Sequence, residues 1–120
     1  MSAPATFAGA RKSPTPFATA RAELAEIKAG ETFWESFEGN PNPPGEDMDV
    51  TQAISDAIYS HAYDKRVALL LTPASSAAEL FEKFVEIRIG GLGDCHTEWP
   101  EIMAQLEADA EALAMKEVAA

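Results

Sequence analysis

The stretch Leu70-Leu71-Thr72-Pro73-Ala74-Ser75-Ser76-Ala77-Ala78-Glu79-Leu80 constrains this chain most. An apolar helical run stops at Thr72, because a following proline disfavours the α region. A new run opens at Ser76, and Glu79 three residues on completes a capping-box signature. Two helices joined through so short a turn lie antiparallel or cross steeply. The expected fold is therefore all-α, a small bundle of three or four helices.

The remaining segments agree. A first helix is expected over 17–37, with Thr15 as cap and Pro16 at the first helical position. Phe17, Ala20, Leu24, Ile27, Trp34 and Phe37 recur there at helical spacing. Gly30 either kinks this helix or ends it, since glycine costs about 1 kcal/mol against alanine in a helix interior. Residues 39–46 carry three prolines and two glycines and form an irregular connection. A second helix is expected over 50–71, capped by Asp47 or Asp49. Its buried stripe runs through Val50, Ile54, Ala57, Ile58 and Ala62 to Ala68 and Leu69. The third, over 76–89, has the widest apolar face, so Leu80, Phe84 and Ile87 are expected at the centre of the bundle. Gly90-Gly91 ends it. A fourth helix is expected over 98–118, with Thr97 as cap and Trp99, Ile102, Met103, Leu106, Ala110 and Leu113 in one stripe. Residues 1–16 contain Pro4, Gly9, Pro14 and Pro16 without apolar periodicity and read as a disordered tail. The helical domain is then 17–120.

A chain of 120 residues with 47% apolar content can bury a core without a metal or disulfide. Cys95 is the only cysteine, which fits a reducing cytoplasm. No apolar run approaches the roughly 20 residues of a membrane span. The N-terminus lacks the basic and apolar regions of a secretory signal. The net charge of −11 disfavours direct contact with nucleic acid or an anionic membrane. It serves solubility, or else imitates a nucleic-acid backbone for a basic partner.

Reactive side chains are few. Asp94-Cys95-His96 sets a thiol beside an imidazole, but adjacent loop residues rarely aim at one atom, and a structural zinc site needs four ligands. No catalytic residue, metal ligand or cofactor site is assigned. His61, between Tyr59 and Tyr63 in sequence, is expected as a hydrogen-bonded core histidine, and Trp34 and Trp99 as core anchors. Gly90-Gly91-Leu92-Gly93 lacks the preceding strand and the lysine of a phosphate loop. Glu79, Glu82 and Glu86, with Lys83 between them, read as a solvated face. On the fourth helix Ala104, Ala108 and Ala112 are spaced four apart, flanked by Glu101 and Glu111. This small-residue face is the expected partner site, and its acids suit a basic protein partner better than a like-charged copy.

The run from Leu69 to Lys83, Leu-Leu-Leu-Thr-Pro-Ala-Ser-Ser-Ala-Ala-Glu-Leu-Phe-Glu-Lys, resembles a group of small uncharacterised α-proteobacterial proteins, often prophage-associated. The likeness covers residues 50–118: a leucine-rich "TPA" turn, a helix with "AEL…K", and an acidic last helix with an aspartate near its middle, here Asp109. It implies a helical fold and a mobile-element source, and no activity. The leading expectation for function is a non-catalytic, acidic helical interaction or accessory protein of the cytoplasm. Its rival is an acidic nucleic-acid mimic inhibiting a DNA- or RNA-binding protein. Carboxylates in rows on one face favour the mimic; convergence of Cys95, His96 and His61 favours an enzyme.

Overall fold

The computed structural model describes residues 13–39 and 50–119. Of the tail expected over 1–16, residues 1–12 lie outside the described residues, as do all but Gly39 of the connection expected over 39–46 and the caps Asp47 and Asp49; Pro16 already belongs to the first helix. Four helices follow in order: α1 (Pro16–Glu35), α2 (Val50–Leu71), α3 (Ala77–Gly90) and α4 (Trp99–Ala119). No strand occurs among the described residues. The all-α fold expected from the turn chemistry is the fold observed.

Local signals set most of the helix ends. The Thr15 hydroxyl accepts from the Ala18 backbone N–H at 3.1 Å, with Pro16 directly behind it. Ser76 does the same for α3, accepting from Glu79 N–H at 3.1 Å. The return bond from Glu79 goes one residue further back than in the usual box: its carboxylate accepts from Ser75 N–H at 2.8 Å. Gly91 ends α3 in the left-handed region at φ 63°, where a side chain is strained, as the glycine pair foretold. Two ends differ from expectation. Gly30 does not end α1, which runs on to Glu35, so Phe37 falls outside it. Glu98, not Thr97, occupies the capping position of α4, because its carbonyl accepts the first helical bond, from Ile102 N–H at 3.0 Å.

α2 is the central helix. It packs against α1 on one side and against α3 and α4 on the other. Two apolar clusters result. Phe17 and Leu24 of α1 close on Leu69 of α2. Val67 and Leu70 of α2 meet Ile102 and Leu106 of α4 and Leu92 of the following connection, with Tyr63, Leu80, Ile87 and Trp99 packed around them. The described residues fit within a thickness of 19 Å, about two helix diameters, so much apolar surface stays near solvent.

That thinness overturns the central role expected of α3. Its only buried residue is Lys83; Leu80 and Ile87 are half-buried, and Phe84 is 52% exposed. The helix is rotated so that a lysine, and not the phenylalanine beside it, points inward. Ala57, Ala68 and His61 are exposed as well, because α2 buries a face centred on Ala62, Arg66, Leu69 and Leu70. Trp34 is half-buried, stacking on Phe37 and donating its indole N–H to Ser55 Oγ at 2.9 Å.

Glu79, Glu82 and Glu86 are not a solvated face. They form the acidic side of a clamp that ties α3 to α1 and α2. Arg21 grips Glu82 through two bonds of 2.9 and 2.7 Å and stands 4.0 Å from Glu79. Glu86 is shared by Lys28 of α1 and Arg66 of α2, the latter at 3.1 Å.

Candidate functional site

Outward rotation of α3 leaves an apolar groove between α3 and α4. Phe84 and Ile87 form one wall; Trp99, Met103, Leu106, Glu107 and Ala110 form the floor and the other, enclosing about 340 Å³. Phe84 and Met103 stand at its lips, 52% and 38% exposed, and Phe81, one turn before Phe84 on α3, is 67% exposed. Aromatic and thioether side chains on a preformed groove are the usual surface of protein recognition, since they supply contact area and adapt in shape.

The separation of the two helices is fixed from beneath by a buried ion pair. Lys83 is 0% exposed and Asp109 2%. The Lys83 ammonium donates to Asp109 Oδ2 and to the Leu70 carbonyl, the latter at 3.0 Å. Asp109 Oδ1 accepts from the Ala74 backbone N–H at 3.0 Å and from Gln105 Nε2 at 2.9 Å. The pair thus joins α3 and α4 to the end of α2 and to the turn after it. Among the described residues no buried side-chain nitrogen or oxygen lacks a partner. A buried pair in which both charged groups make further hydrogen bonds holds one geometry, because any other arrangement strands a charge.

The far end of the groove is held by the connection between α3 and α4. Tyr63 of α2 donates its hydroxyl to the Glu98 carboxylate and stacks on the His96 ring at 5.7 Å. That hydrogen bond, aided by burial, pushes the Tyr63 phenol up to about 12. The same bond, with one from its own backbone, holds Glu98 below the usual carboxylate range. His96 Nδ1 accepts from Gly93 N–H at 3.2 Å and lies 3.4 Å from the exposed Cys95 sulfur, so this imidazole nitrogen serves the fold of the loop. His61 is elsewhere, lining a shallow groove between α1 and α2 with Glu26, Ile27 and Ile58. Among the described residues no three His, Cys, Asp or Glu side chains are grouped to hold a metal ion.

The residues expected as a partner face, Ala104, Ala108, Ala112, Glu101 and Glu111, are all exposed on α4, and none lines the groove. What sequence reading missed is the Lys83–Asp109 pair and the groove above it. A signal was present: Asp109 follows Ile102 and Leu106 at helical spacing, so a carboxylate sits in register with the buried stripe of α4 and calls for a buried cation. Lys83 and Asp109 are both among the charged residues quoted in the resemblance. No family model, no curated protein and no solved structure matches this chain.

Proposed function

We propose that this chain is a non-catalytic interaction protein whose α3–α4 groove receives an apolar segment of a protein partner. One observation carries the reading: Phe84 and Met103 stand exposed at the lips of a groove that already has its shape, with Phe81 exposed one turn before Phe84 and a buried ion pair joining the two helices that form the walls. Single exposed apolar residues are ordinary on a protein surface; a contiguous patch of them with a concave floor marks a contact site. The rival, imitation of a nucleic-acid backbone, is less well supported. The acidic row of α3, Glu79, Glu82 and Glu86, is engaged with Arg21, Lys28 and Arg66 and is not free to stand in for phosphates. A cytoplasmic setting and a mobile-element origin belong to the proposal; the free thiol of Cys95 supports the first. No helix among the described residues is long and apolar enough to cross a membrane.

The test is affinity capture from the source cells with the wild-type chain, a Phe84→Ser/Met103→Ser variant and Ala108→Arg. The expected result is one specific protein retained by the wild type and by Ala108→Arg, and lost with the groove variant at unchanged thermal stability. Loss with Ala108→Arg alone would move the contact to the alanine row and contradict the groove reading.

A further inference from the structure

Resting on the reading just given, we infer that the occupant of the α3–α4 groove is a basic amphipathic helix of a partner protein. The groove floor extends from Trp99 to Ala110 along α4. At 1.5 Å per residue that is about 16 Å, or three helical turns, the contact length of a helix laid in a groove by its i, i+3/i+4 and i+7 side chains.

The charge of the rim selects among such helices. Residues Met103, Glu107, Glu111 and Met115 follow one another four apart and form a single ridge of α4; all four are exposed. Its two middle members are acids, one of them lining the groove itself. Of the seven cations among the described residues, Arg21, Lys28, Lys65, Arg66 and Lys83 are held in ion pairs with the chain's own carboxylates. With those bases paired, few are left beside the groove to offset Glu107 on its wall. Arg88 lies one turn beyond Phe84, near the connection to α4, while Glu107 lies on the opposite wall with Glu111 one turn further along the same ridge, outside the groove lining. A lysine- or arginine-bearing helix gains attraction along that wall and a faster encounter, while a second copy of this chain would bring like charges together.

The probes are three fluorescent peptides of about eleven residues, or three helical turns. They share the same leucine positions and carry Lys, Gln or Glu at the polar ones. Binding is read by anisotropy against the full chain. The lysine peptide should bind best, about tenfold tighter than the glutamine peptide at low salt, with the gap closing as salt rises. Glu107→Lys/Glu111→Lys should invert the order in favour of the glutamate peptide. Phe84→Ser/Met103→Ser should abolish binding of all three. Equal binding of the three peptides would overturn the charge inference and leave the groove reading standing. No binding by any peptide would overturn both. Lysine-peptide binding that survives Phe84→Ser/Met103→Ser would show unspecific attraction only and overturn the inference. A dimer in sedimentation that Phe84→Ser/Met103→Ser dissolves would make a second copy the occupant and overturn it equally.

Discussion

Lys83 and Asp109 set two large terms against each other. Removing both charges from water costs several kcal/mol per ion, and their mutual attraction offsets this only with good geometry and further hydrogen bonds. Here Leu70, Ala74 and Gln105 supply those bonds. Breaking the pair from one side leaves a buried charge alone, so Asp109→Ala and Lys83→Met should each destabilise the fold by about 3–5 kcal/mol in urea melts. The double variant Lys83→Met/Asp109→Ala should cost clearly less than the two single losses added, since neither charge is then stranded. Strict additivity in that cycle would mean that the two side chains do not meet. Tyr63 tests the other end of the groove. Its phenol is raised to about 12, so its contribution to stability is complete below the ordinary value of 10.0 and is lost as pH climbs from there to about 12. Glu98 is lowered, so its contribution is present above the ordinary carboxylate range and is lost as pH falls through the lowered value. Tyr63→Phe removes the first dependence and the largest cause of the second, and the melting temperature of that variant should vary less with pH at both extremes than the wild type's.

At the scale of elements, the hairpin of α2 and α3 is built from local chemistry and was legible for that reason. Ser76, Pro73 and the glycine pair act within a few residues of themselves, and no distant contact is needed to read them. Ser76→Ala should cost about 0.5–2 kcal/mol by freeing the Glu79 amide. Gly91→Ala should cost about 1–2 kcal/mol because its φ of 63° suits glycine. Both are read from denaturant midpoints at unchanged slope. The rotation of α3 about its own axis was not legible in the same way. Its apolar residues cover more than one face, so periodicity alone cannot choose which face turns inward, and a propensity for burial places Phe84 before Lys83. The choice is made 26 residues away, where Asp109 waits in the stripe of α4. The acids of α3 were misread for the same reason: their cations sit on α1 and α2, so the sequence spacing of Glu79, Glu82 and Glu86 shows a row but not its partners.

For the whole molecule, the consequence of one inverted helix is a thin assembly with its aromatic side facing out. α2 does the central packing, ion pairs hold α1 and α3 to it, and the surface that α3 would have buried becomes a groove. The alternative packing, with Phe84 inside and Lys83 in water, would give a more ordinary bundle and no such surface. Hydroxyl-radical footprinting of the folded chain, read residue by residue by mass spectrometry, separates the two packings most directly. The structure requires Phe81 and Phe84 to be modified readily, with Lys83, Leu70 and Ile102 protected. Protection of Phe84 together with ready modification of Lys83 would contradict the account at its foundation.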